Sequence, residues 1–79
     1  MDLLQVMTGL YSSEINFGMQ SLWDTGFEVW LGDSLNGCRS VQSFGIGEME
    51  TAARWLDGKA REIYPNSDYA RGRPKQGRG

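Results

Sequence analysis

The sequence has no histidine, one cysteine and only two prolines among its 79 residues. Without histidine the chain lacks the side chain that most often acts as a general acid or base near neutral pH. With Cys38 alone it has no internal disulfide and no cysteine–histidine site for structural zinc. We therefore expect a protein without cofactor or metal, in a reducing cytoplasm.

Long apolar runs are also missing, since no segment approaches the roughly 20 apolar residues that a membrane-spanning helix needs. The chain opens with Asp2 instead of the basic stretch that begins a signal peptide. We therefore expect an intracellular protein that does not contact a membrane. A chain of this length forms one small domain, which buries only about 60% of the surface that the unfolded chain exposes.

Charge divides the chain into an acidic body and a basic end. Residues 1–70 contain all ten acidic side chains but only four of the eight basic ones, and residues 71–79 contain the other four. An acidic body repels phosphate groups, which disfavours nucleic-acid binding by the folded part. We expect residues 1–70 to form the domain and residues 71–79, which are basic and rich in glycine, to be a disordered tail.

The strongest pattern is an amphipathic helix over residues 48–64. Its apolar residues recur at spacings of three and four, which places them on one side of a helix. This stripe consists of Met49, Ala52, Ala53, Leu56, Ala60, Ile63 and Tyr64. Pro65 ends the helix, because the residue before a proline avoids helical geometry. Residues 2–11 predict a second, shorter helix with Asp2 as its N-cap.

Between the helices, apolar residues recur at alternate positions, as in half-buried strands. They are Ile15, Phe17, Met19 and Trp23 in a first strand, and Phe27, Val29 and Leu31 in a second. Residues 24–26, Asp-Thr-Gly, predict the turn between these strands. We expect Trp23, like Trp55 of the helix over residues 48–64, in the core or at its edge.

A third strand is predicted over residues 38–44. Its facing stays open, because Cys38 and Phe44 share one parity and Val41 has the other. The sequence therefore predicts a two-layer α+β domain in the order α-β-β-β-α. Both helices cover one face of a three-stranded antiparallel sheet in this prediction.

The other face of that sheet is the surface on which we expect a protein partner. Alternation places Gln20, Glu28 and Trp30 there, with Trp30 as the large apolar side chain among polar neighbours. Exposed tryptophan is enriched in interface hot spots, which favours Trp30 as an anchor for a partner or a second copy of the chain. The alternative is that Trp30 packs across the strand pair, against Leu22 or Val41.

The basic end indicates a second function. Residues 71–75, Arg-Gly-Arg-Pro-Lys, resemble the core of an AT-hook, a short segment that lies in the minor groove of A·T-rich DNA. The resemblance implies DNA contacts by Arg71, Arg73 and Lys75, and Arg78 adds another basic side chain to the segment. The alternative is a tail that binds without specificity or has no function.

Two wider resemblances concern the body. Its order of elements is that of double-stranded RNA-binding domains, but Glu48 and Glu50 stand where those domains carry lysines, so RNA binding by the body is not expected. Residues 23–33 and 52–56 resemble segments of small bacterial proteins of unknown function. That resemblance implies the fold and a bacterial or phage origin, but no activity.

Catalysis is not expected from the carboxylates. Asp24 and Asp33 have turn positions, and Glu48 and Glu50 have helix-start positions. A catalytic pair needs a pocket, which a two-layer domain of this size rarely encloses. The sequence therefore favours a non-enzymatic protein-interaction module, with a DNA-associated accessory protein as the alternative.

Overall fold

The computed structural model describes residues 1–32 and 40–72. Its elements are α1 (Leu3–Ser12), β1 (Phe17–Leu22), β2 (Gly26–Leu31), β3 (Ser40–Phe44), α2 (Met49–Ile63) and α3 (Asp68–Arg71). The strands form one antiparallel sheet in the order β1-β2-β3, and α1 and α2 pack on it. The predicted α+β class and the order α-β-β-β-α are confirmed, with α3 as an addition.

Helix α1 begins at the predicted N-cap. The Asp2 carboxylate accepts the backbone N–H of Gln5 at 2.9 Å, and the Gln5 side chain accepts the N–H of Asp2 at 3.1 Å. This reciprocal pair satisfies backbone amides that a helix start leaves without partners. Leu3, Val6 and Leu10 then bury one side of the helix in the core.

The core lies between the helices and the face of the sheet that carries the odd-numbered residues of β1 and β2. Its sheet and α2 members are Phe27, Val29, Leu31, Phe44, Ala52, Ala53, Leu56 and Ala60. Leu56 is fully buried. Trp55 lies at the edge of the core, and the centroid of its ring is 6.0 Å from that of the Phe44 ring. The facing of β3 is now settled, because Phe44 is buried and Val41 points away from the helices.

Three residues that we expected to pack on the apolar side are exposed to solvent. Met19 pairs with Val29 and shares its face, but it is 47% exposed because β1 is an edge strand with incomplete cover. Trp23 is 90% exposed, because β1 ends at Leu22 and the alternation of the strand does not continue into the turn. Met49 is exposed because it is the first residue of α2.

Helix α3 was not expected from the sequence. Ser67 caps it by accepting the N–H of Ala70 at 3.1 Å, and Gly72 ends it in the left-handed region with φ 71°. The prediction placed Arg71 in a disordered tail, but the structure places it in this helix. The folded part of the chain therefore reaches Gly72.

Tyr69 holds α3 against both long helices. Its hydroxyl donates a hydrogen bond of 2.5 Å to Asp57 in α2, and a Cβ atom at Gly9 in α1 would lie 2.8 Å from its ring. Burial and the hydrogen bond to the Asp57 carboxylate raise the pKa of Tyr69. Arg61 lies 5.3 Å from the ring centre and donates to both Asp57 oxygens at 3.2 Å and to the carbonyl of Ala70 at 3.2 Å.

Candidate interaction surface

The side of the sheet away from α1 and α2 is the candidate site, and we call it the open face. The strand register places there Gly18, Gln20, Leu22, Glu28, Trp30, Val41 and Ser43. None of the described helices packs on this side, since α3 contacts α1 and α2. The open face is therefore a continuous surface that all three strands build.

Trp30 lies in the middle of the open face on the central strand, and it is half-buried, whereas the sequence prediction had it exposed. Its indole lies over Gly18, because a Cβ atom at that position would come within 2.2 Å of Cζ2 and 2.3 Å of Cε2. Gly18 is its register partner in β1, and Val41, which is 47% exposed, is its partner in β3. The ring therefore packs across the strand pair on Gly18, and packing against Leu22 or Val41 stays a prediction.

Glu28 and Gln20 complete the group that the sequence singled out. They are opposite each other in the β1–β2 register, and Ser43 is the partner of Glu28 in β3. Since Trp30 follows two residues after Glu28 on the same strand, the structure brings all three predicted residues together on one face. Whether they bind a partner stays a prediction.

The open face has a negative charge and no positive one among the described residues. Glu28 is its charged member, and it is half-buried. The described basic side chains all belong to α2 or α3, and they are Arg54, Lys59, Arg61 and Arg71. A partner that approaches this face therefore meets the apolar side chains of Trp30 and Val41 among polar neighbours, with one carboxylate.

A second apolar surface lies between α1 and the edge strand β1, and the sequence prediction missed it. We call it the α1–β1 groove; its volume is about 310 Å³ and its lining is Leu4, Met7, Thr8, Tyr11 and Phe17. Leu4 and Tyr11 are 74% and 78% exposed. The signal in the sequence is a second apolar stripe at positions 4, 7 and 11, next to the stripe at positions 3, 6 and 10 that the structure buries.

A third apolar feature lies at the end of the β1–β2 hairpin. Trp23 and Ile46, which is 71% exposed, line a pocket of about 310 Å³ together with the hairpin turn. Nearby, the Glu48 carboxylate accepts the N–H of Gly45 at 2.7 Å and so fixes the approach to α2. Both apolar side chains are in loops, where strand alternation does not apply.

Of the four residues predicted to contact DNA, the structure describes one, Arg71. Arg71 ends α3 and donates to the side chain of Asn66 at 3.4 Å. Arg73, Lys75 and Arg78 lie outside the described residues. The resemblance to an AT-hook therefore stays a prediction.

The described part of the chain has neither a cluster of metal ligands nor a membrane-spanning helix. Within residues 1–32 and 40–72, no three carboxylate or thiol groups come together as ligands for a metal ion. No helix in these ranges has the length and apolar character to cross a bilayer. Comparisons with protein-family models, with curated proteins and with solved structures gave no significant match. The resemblance to small bacterial proteins is thus a prediction as well.

Proposed function

We propose that this chain is a small, cytoplasmic, non-enzymatic interaction protein that binds a protein partner on its open face. The observation that carries the proposal is the Trp30 indole, seated on Gly18 in the middle of a sheet face that no described helix covers. The single cysteine suits a reducing compartment.

The position of Trp30 favours binding for an energetic reason. Apolar area that a contact removes from water stabilises the contact by roughly 25 cal/mol per Å². Because the ring already rests on Gly18, it loses little conformational freedom when a partner covers it. A tryptophan held in this way provides a preorganised anchor of the kind that dominates many interfaces.

The neighbours of Trp30 define the chemistry of the partner. Val41 extends the apolar surface on one side, and Glu28 and Gln20 add a carboxylate and an amide further along the strands. The complementary surface has an apolar centre with a lysine or arginine beside it. The charge pair supplies orientation and specificity more than affinity, because such pairs at a rim contribute little free energy.

The test compares two tryptophan variants of the whole chain. Trp30→Ala removes the anchor, and the matched control Trp23→Ala removes a tryptophan that is 90% exposed but lies in the hairpin turn. Each chain is used to capture proteins from the source cell, and each captured protein is then purified and titrated against all three chains. The proposal expects a partner that loses at least tenfold in affinity with Trp30→Ala and little with Trp23→Ala.

A charge reversal on the same face sharpens the result. Glu28→Lys should also lower the affinity for the partner whose binding Trp30→Ala weakens, because a basic group on the partner then meets a like charge. The melting temperature of every variant is measured first, so that unfolding is not mistaken for lost binding. The proposal is wrong if every captured protein binds the Trp30→Ala chain as tightly as the parent.

A further inference from the structure

We propose that the chain forms a two-fold homodimer by antiparallel pairing of β1 with β1 of a second copy, with the α1–β1 grooves of both copies facing each other. This interface lies at the edge of the sheet, so it goes beyond the partner site on the open face. It joins two three-stranded sheets into one sheet of six strands.

The first argument is the unprotected edge of β1. Natural sheets guard an exposed edge strand with lysine, proline, inward-pointing charge or a bulge. The sequence of β1 is Phe-Gly-Met-Gln-Ser-Leu, with no charge and no proline, and its residues pair one to one with β2 without a bulge. No described strand pairs with its outer side. Such an edge, about 20 Å long at the rise of a β-strand, offers the outward-pointing backbone groups of alternate residues for pairing.

The second argument is the apolar surface next to that edge. Leu4, Met7 and Tyr11 form a stripe on α1 beside the buried one, and they line the groove above β1 together with Phe17. Leu4 and Tyr11 are exposed, and Met7 packs against the edge of the core. A strand added to β1 extends the sheet beneath this stripe and covers it. The core-facing position of β1 that is most exposed, Met19, lies in the same region of the sheet.

The occupant is a second copy because the edge is complementary to itself. An uncharged strand meets its own image without placing like charges opposite each other, which would be destabilising. A register with Met19 opposite Met19 of the second copy keeps the helices of both copies on the same side of the joined sheet, because directly opposed residues share a face. The two exposed Met19 side chains then bury each other, and the two α1 stripes meet above them.

The geometry of that axis gives a direct cross-linking test. Directly opposed Cα atoms in an antiparallel pair lie about 4.5–5.5 Å apart, within the about 4.4–6.8 Å that a disulfide requires. In a Cys38→Ser background, Met19→Cys should therefore form a covalent dimer on treatment with oxidised glutathione. The matched control is Gln42→Cys, because Gln42 is exposed on the other edge strand and is also a register partner of Val29.

Sedimentation over a concentration series supplies the second readout. The parent chain should sediment as a dimer, Met19→Lys as a monomer with an unchanged fold, and Gln42→Lys as a dimer. Lysine at position 19 sets two like charges against each other at the two-fold axis, whereas lysine at position 42 lies on β3.

Each contrary outcome overturns the proposal. A parent chain that is monomeric throughout the series excludes the dimer. A dimer that dissociates with Gln42→Lys but not with Met19→Lys places the interface on β3. This test of the dimer is independent of the test of partner binding on the open face, because Met19→Lys leaves Trp30 and Glu28 in place on the other side of the sheet.

Discussion

The contact between Tyr69 and Asp57 allows a sharp test of how the end of the domain is held. Replacing Tyr69 by phenylalanine removes the hydroxyl that donates to the Asp57 carboxylate, while the ring keeps its place against Gly9 and Arg61. We expect the variant to fold and to be less stable than the parent. The loss of stability then measures the contribution of one hydrogen bond, because the packing of α3 is unchanged.

The size of the loss follows from what remains at Asp57. A hydrogen bond to a charged group contributes about 1.5–3 kcal/mol, and partial exposure of this pair moves the figure toward the lower limit. Asp57 keeps both bonds from Arg61, so no unpaired carboxylate is left in the protein. We expect the free energy of unfolding to fall by about 1–1.5 kcal/mol. For a domain of this size that corresponds to a decrease in melting temperature of roughly 4–12 °C.

The same contact makes stability depend on alkaline pH. Tyr69 has a raised pKa in the folded chain, so the folded state holds its proton at pH values where the unfolded state releases it, near the ordinary tyrosine value of about 10. The unfolded state then binds fewer protons, and stability falls as the pH rises above about 10. Below that pH the contribution of Tyr69 is fully present. Since the pair is partly exposed, the decrease between pH 9 and 11 should be no more than about 1 kcal/mol.

The assay is urea unfolding of the parent, Tyr69→Phe and Tyr11→Phe at pH 8 and pH 11. Tyr11→Phe is the matched control, because Tyr11 is 78% exposed on α1. Other groups titrate in this range, so the informative quantity is the difference in the free energy of unfolding between each variant and the parent at the same pH. The difference should shrink at pH 11 for Tyr69→Phe and stay near zero for Tyr11→Phe. A Tyr69→Phe chain as stable as the parent at pH 8 would refute the reasoning.

Two further predictions concern the core and the basic end. Leu56→Asp buries an unpaired charge at a fully buried position and should cost several kcal/mol, most of the stability of a typical small domain; a melting temperature within a degree or two of the parent would contradict the packing of α2. Truncation after Gly72 should leave the melting temperature nearly unchanged, as measured by circular dichroism. If the intact chain binds DNA through residues 73–79, its affinity should fall steeply as the salt concentration rises. Equal binding to A·T-rich and G·C-rich duplexes would exclude the AT-hook. No binding to either duplex at low salt would exclude the DNA alternative.

The regular elements could be predicted because their burial follows a period. Leu56 and the alanines around it are buried as the 3.6-residue repeat requires, and Phe27 and Val29 are buried as alternation requires. The exposure of Met19 could not be predicted in this way. Its parity is correct, but its cover depends on where the helices end over the sheet, which only the tertiary structure determines.

The candidate site shows the same division. Alternation alone places Gln20, Glu28 and Trp30 on one face, and the structure agrees. The contact of the Trp30 ring with Gly18 depends on the register of the β1–β2 hairpin. The three-residue turn determines this register, and the alternation of the strands does not. The four residues of α3 are too few to show a helical period, although Ser67 is a recognisable N-cap.

The packing of α1 on α2 has a consequence for the order in which the chain folds. Residues 13–48 separate the two helices, so their contact closes a long loop, whereas the β1–β2 hairpin closes a turn of three residues. Loop closure costs more entropy as the loop lengthens, so the hairpin has the lower kinetic barrier and α1 docks late. We therefore expect the α1–β1 groove to be completed only late in folding, when α1 has docked.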